Sequence, residues 1–99
     1  MIIVRESFTA KPGQAGKLAK LFKRMFASDA NTTVMTDYIG CYNSVVMERR
    51  FNKLAEFEEE FEQYRTGKMP DVDAALMEEM KGYTELWLKG KREVFQIVE

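Results

Sequence analysis

The sequence contains no histidine. That removes the Ser-His-Asp and Cys-His nucleophile arrangements, histidine-ligated zinc and the usual proximal ligand of a haem. Chemistry is left to carboxylates, Tyr, Lys, Arg and Cys41. Glu6 and Arg49 fall on segments that read as neighbouring strands. If both side chains face the helices they form an ion pair lining a pocket, with Arg49 holding an anionic group and Glu6 acting as a base. The more ordinary reading of the same pair is a structural ion pair at the sheet edge, and a one-residue slip of register turns either side chain to the opposite face. Tyr38, Tyr64 and Trp87 have the character of an aromatic wall around a small molecule, or of core and interface packing. Seven Met and seven Phe suit an adaptable apolar pocket or an ordinary core. Glu56, Glu58, Glu59, Glu60 and Glu62 carry the oxygens a hard cation needs, but a helix fans them outwards, so a solvated face and no metal site is the reading. Cys41 has no neighbouring cation in sequence to activate it.

Composition narrows the classes. With 15 basic against 16 acidic residues and a net charge of -1, the chain lacks the basic surplus of a phosphate-backbone binder, and no nucleic acid is expected. Hydrophobic residues make up 45% and charged residues 31%, the mix of a soluble globular protein. No apolar run approaches the roughly 20 residues of a membrane span, and Met1-Ile2-Ile3-Val4-Arg5-Glu6 lacks the pattern of a signal peptide. The single cysteine forbids an internal disulfide, and a reducing, cytoplasmic setting fits. The 99 residues suggest one domain, 1–99, large enough to hold a core without staples.

The elements that must position these residues follow from periodicity. Ile2 to Ala10 reads as a strand, stopped by Lys11-Pro12-Gly13. A helix from Gln14 to Ala27 carries the stripe Leu18, Leu21, Phe22, Met25 and Phe26. Thr32 to Gly40 reads as a second strand, with Gly40 to Asn43 as the hairpin connection. From Ser44 to Tyr64 the pattern changes from strand to helix in one run: Val45, Val46 and Phe51 are strand-like, Asn52 is a suitable N-cap, and Leu54, Phe57, Phe61 and Tyr64 form a helical stripe. Gly67 suits a left-handed C-cap. Met69-Pro70 is a break, followed by a short helix from Asp71 to Lys81 with Val72, Leu76 and Met80 on one side. Tyr83 to Val98 is strand-like, with Lys89-Gly90-Lys91 either a hairpin turn or a bulge.

Strand, helix, strand, strand, helix, short helix, strand is the order of an α+β, ferredoxin-like βαββαβ sandwich: a four-stranded antiparallel sheet with helices on one face. Basic helix one and acidic helix two would lie side by side with complementary charge. Ile2-Ile3-Val4, Val45-Val46-Met47 and Phe95-Gln96-Ile97-Val98 place apolar residues on both faces, so the uncovered face is expected to be buried by a second copy, giving a homodimer through the sheet.

Lys11-Pro12-Gly13 with the helix after it, the run Gly40-Cys41-Tyr42-Asn43-Ser44-Val45-Val46, and the junction Phe51-Asn52-Lys53-Leu54-Ala55-Glu56-Phe57-Glu58 together resemble the dimeric α/β-barrel superfamily, with its NIPSNAP-like and antibiotic-biosynthesis-monooxygenase-like members. The resemblance covers nearly the whole chain. Glu48-Arg49-Arg50 stands where NIPSNAP-like domains often carry an aromatic. Glu6 stands at the position of the Asn used by the haem-degrading branch, which also needs the absent His, so haem degradation is not implied. The resemblance implies a pocket between helices and sheet, used in some relatives to oxidise aromatic substrates with oxygen and no metal or flavin cofactor. The function expected is a homodimeric small-molecule-binding protein for an apolar or aromatic ligand, with cofactor-independent monooxygenation of a small aromatic substrate as its possible activity. The alternative is a non-enzymatic NIPSNAP-like dimeric interaction module.

Overall fold

The computed structural model describes residues 1–68 and 73–99. Four strands, β1 (Ile2–Ala10), β2 (Thr32–Thr36), β3 (Ser44–Phe51) and β4 (Trp87–Gln96), form one antiparallel sheet in the order β2-β3-β1-β4. The helices are α1 (Ala15–Met25), α2 (Leu54–Arg65) and α3 (Ala74–Met80), with a 3₁₀ turn over Tyr83–Leu86. This is the ferredoxin-like α+β arrangement. The sheet is open, with β2 and β4 at its edges.

Register decides what faces the helices. Val4 lies opposite Arg49 and Val94, Glu6 opposite Met47 and Arg92, and Phe8 opposite Val45 and Gly90. Opposed residues share a face, so these rows line the helix side. Under them Leu18, Leu21, Phe22 and Met25 of α1 pack with Ala10, Val45, Met47, Met80 and Leu86 as the buried core. On the other face Ile3, Val46 and Phe95 alternate with Arg5 and Glu48, whose Nε–Oε2 hydrogen bond is 2.7 Å long, and the Arg5 guanidinium sits 5.0 Å from the Phe95 ring centre.

Local chemistry explains the boundaries. Gly13 at φ +81°, after Pro12 and under a 2.9 Å bond from Gln14 N–H to the Lys11 carbonyl, has the conformation of a Pro-Gly type II turn. Gly67, at φ +76°, ends α2: its N–H reaches the Tyr64 carbonyl and that of Lys68 the Gln63 carbonyl, the paired bonds of a Schellman cap. Asp73 caps α3 by accepting from Leu76 N–H at 2.7 Å.

Several expectations differ from the structure. The second strand ends at Thr36 rather than Gly40, because Asp37 turns to accept from Ser44 N–H at 3.0 Å and the chain enters a loop with Gly40 at φ +147° and Asn43 at φ +62°. Asn52 is not the N-cap. Strand β3 runs on to Phe51, the cap position falls on extended Lys53, and no side chain caps the first turn. Tyr83 belongs to the 3₁₀ turn, not to a strand. Lys89-Gly90-Lys91 lies inside one continuous strand, and the irregularity is a bulge: Thr9 faces Lys89 and Ala10 faces Trp87, leaving Leu88 as the extra residue. Arg24 of α1 pairs with Glu79 of α3, and among the described residues no ion pair joins α1 to α2. The proposed break at Met69-Pro70, and Val72 of the short helix, lie outside the described residues. No described helix is long and apolar enough to cross a membrane.

Candidate functional site

Helix α2 has an aromatic stripe and yet buries none of its residues fully. Phe57, Phe61 and Tyr64 are only half-buried because the space beneath them is a cavity of about 470 Å³ between α2, α1 and the helix side of the sheet. Phe8, Phe22, Met47 and Trp87 contribute to the opposite walls. The rings are mutually packed: Phe51 against Phe57 at 5.6 Å between centroids, Phe57 against Phe61 at 5.8 Å, and Phe8 against Trp87 at 5.3 Å. The bulge at Leu88 puts Trp87 on the cavity side, in the place an unbroken ladder would give Leu88.

Glu6 and Arg49 both reach this cavity, but they do not pair with each other. Glu6 faces Met47 in the ladder, one step along from Arg49, and each finds a nearer charge. Arg92 donates its Nε–H to Glu6 Oε1 at 2.5 Å and lies over the Phe61 ring at 4.6 Å. Arg49 is only 8% exposed. It is held between the rings of Phe26, at 4.1 Å, and Phe51, at 5.1 Å, and pairs with Glu60 of α2 and, at 3.7 Å, with Asp29. The guanidinium thus ties α2 to β3 through Glu60. Among the described residues, Arg49 Nε and Trp87 Nε1 are buried donors without a hydrogen-bond partner.

Among the described residues the charges lining the cavity balance: Glu6, Asp29 and Glu60 against Arg49, Lys91 and Arg92. A cavity with matched charges and aromatic walls gives an uncharged ligand the advantage over an anion, whose desolvation no spare cation among the described residues would offset. Tyr64 supplies a phenol whose pKa is raised above its ordinary value, first by burial, then by Tyr83 and by the negative charge of Glu6, with Arg92 opposing. It therefore stays a hydroxyl through the physiological range. Because the folded value is the higher one, Tyr64's neutral form supports the fold fully below about pH 10 and that support is lost as pH rises through the folded value. Urea unfolding at stepped alkaline pH should show a loss of stability above pH ~10 that is shallower in Tyr64→Phe.

Of the residues singled out from sequence, Glu6, Arg49, Tyr64 and Trp87 meet at the cavity. Tyr38 does not: it stands 97% exposed in the loop after β2, where a strand ending at Thr36 cannot carry it to the wall. Arg92 and Glu60 escaped the sequence reading. Arg92 carried a signal in the alternation Gly90, Arg92, Val94, but using it requires the register against Glu6. Glu60 sits inside an acidic run of which Glu58, Glu59 and Glu62 are exposed and Glu56 is partly buried.

The fold has close counterparts among solved structures. The chain is similar to a NIPSNAP domain protein from Burkholderia xenovorans, with a TM-score of 0.75 and 12% identity over 99% of this chain and 95% of that one. It is similar to a NIPSNAP family protein from Agrobacterium tumefaciens, with a TM-score of 0.73 and 14% identity over 99% and 86%. It is also similar to an antibiotic biosynthesis monooxygenase, with a TM-score of 0.67 and 9% identity over the full length of both chains. At these identities the likeness is one of fold. No protein-family model and no curated protein matches the chain.

Proposed function

We propose that this protein binds a small, uncharged, hydroxylated aromatic molecule in the cavity under α2. The observation that carries the reading is the unfilled space beneath the Phe57–Phe61–Tyr64 stripe. A helix whose apolar face were meant only for a core would bury it. About 470 Å³ lies within the range of small-molecule sites. Glu6 accepts from Arg92 through Oε1, which leaves Oε2 to accept from a ligand hydroxyl, while the rings stack on the ligand's faces. Calorimetric titration with 2-naphthol and 2-naphthoate tests this: the neutral naphthol should bind at least 10-fold more tightly. Equal affinities, or tighter binding of the carboxylate, would reject the reading.

A second reading rests on the position of Glu6. A carboxylate that accepts a ligand hydroxyl, or faces an acidic ring CH₂, can take its proton. The resulting electron-rich carbon can add O₂, and loss of water across the peroxide leaves a carbonyl, so that CH₂ and O₂ become C=O and H₂O. The likeness to an antibiotic biosynthesis monooxygenase supports this reading as one of fold. Oxygen uptake with an anthrone, abolished by Glu6→Gln, would establish it; binding without uptake would leave a binding module. We further propose that the face bearing Ile3, Met35, Val46 and Phe95 pairs with that of a second copy. Light scattering should then give twice the 11.5 kDa chain mass, and a monomer at micromolar concentration would refute the dimer.

A further inference from the structure

Gly90 occupies the middle of β4, where glycine weakens a strand and has no side chain to pack. It is not among the glycines at positive φ, so the backbone does not demand it. What demands it is Phe8. The two residues are directly opposed in the β1–β4 ladder. A Cβ on Gly90 would fall 2.8 Å from Phe8 Cδ1 and 3.0 Å from Cε1. Those separations are too short for carbon atoms, so any side chain at 90 must move the ring.

The ring's possible movements are limited. Phe22 packs against it at 5.1 Å and Trp87 at 5.3 Å between centroids, and the open space beside all three is the cavity they line. Resting on Gly90, the ring lies back as part of the cavity wall. Displaced from it, the ring takes up cavity volume. We propose that Gly90 sets the depth of the cavity through Phe8 and thereby determines the largest aromatic ligand the site accepts. This inference rests on the binding function proposed above, and adds to it a residue of the cavity lining that acts through its neighbour.

The test uses probes of graded length, phenol, 2-naphthol and 2-hydroxyanthracene, with dissociation constants measured for the parent protein, Gly90→Ala and the double variant Gly90→Ala/Phe8→Leu. Gly90→Ala should weaken 2-hydroxyanthracene at least 10-fold while leaving phenol within 2-fold. Phe8→Leu in the same chain should restore most of the loss, since the smaller side chain gives back the volume. A crystal structure of Gly90→Ala should place the Phe8 ring displaced into the cavity. Equal weakening of all three probes, no weakening, or an unmoved ring would each overturn the proposal. If the parent protein binds none of the probes, the binding reading itself falls and ligand selection with it. The position of the ring in Gly90→Ala then decides the packing argument alone, so the two failures are told apart.

Discussion

Arg49→Ala should lower the unfolding free energy by about 3 kcal/mol, a large fraction of the 5–15 kcal/mol typical of a whole domain. Three contributions are removed together. The charge-assisted bond to Glu60 is worth roughly 1.5–3 kcal/mol. The guanidinium also leaves the faces of Phe26 and Phe51, each contact worth about 0.5–2 kcal/mol, and the aliphatic stem no longer fills the space between the rings. These terms overlap and do not add fully. Glu60 and Asp29 keep 40% and 31% of their side-chain surface exposed, so water can rehydrate them and the stranded-charge penalty of a fully buried pair does not apply in full. Arg49→Met separates the terms. It keeps an unbranched apolar stem between the rings and loses the charge, the bond to Glu60 and the cation–ring contacts, so it should cost less than Arg49→Ala by the packing of the stem alone. Urea unfolding of both variants decides. If Arg49→Ala fell within 1 kcal/mol of the parent, Arg49 would not be the tie between α2 and β3.

Glu6→Ala should have the opposite profile: little effect on stability and a large effect on the ligand. The Glu6–Arg92 pair is open to water on one side, with 45% of the Arg92 and 16% of the Glu6 side-chain surface exposed, and a pair that water still reaches contributes about 1 kcal/mol. Loss of a carboxylate that accepts a ligand hydroxyl removes roughly 1.5–3 kcal/mol of binding, a weakening of about 10- to 100-fold for 2-naphthol. Glu6→Gln keeps an acceptor oxygen and should fall between. A further consequence concerns selectivity. Without Glu6, the lining charges of the described residues no longer balance and Arg92 has no carboxylate partner among them, so 2-naphthoate should bind Glu6→Ala more tightly than it binds the parent. Loss of affinity for both probes alike would mean that Glu6 shapes the cavity instead of addressing the ligand's hydroxyl.

The strands and helices were legible because their signals are local. Lys11-Pro12-Gly13 stops β1, and the stripe Leu18, Leu21, Phe22 and Met25 is the buried face of α1. Gly67 caps α2 as its type suggests. Sequence and structure part where pairing overrides propensity. Tyr38 and Ile39 are good strand formers, but β3 begins at Ser44 and offers them no partner. Asn52 has the chemistry of a cap, but the cap position falls one residue later, on extended Lys53.

The site was half legible for the same reason. Glu6 and Arg49 stand out as polar residues within apolar strands, and both do face the cavity. Their partners depend on where α2 crosses β3 and on the register of β4, and neither is encoded within a short window. Arg49 is joined to a glutamate eleven residues further on, and Glu6 to an arginine eighty-six residues away. A bulge and a hairpin turn also look alike at Lys89-Gly90-Lys91. Only the pairing of Ala10 with Trp87 distinguishes them.

The most direct test of ligand binding under α2 follows one resonance. Trp87 is the only tryptophan, it lines the cavity, and its buried indole N–H has no partner among the described residues. In the ¹H–¹⁵N spectrum it gives the single indole cross-peak. Titration with 2-naphthol should shift that peak saturably at one ligand per chain, and in Glu6→Ala the same shift should need about 10- to 100-fold more ligand. An indole peak that stays in place up to the solubility limit of 2-naphthol, in a protein that remains folded, would show that the space under α2 is not a ligand site.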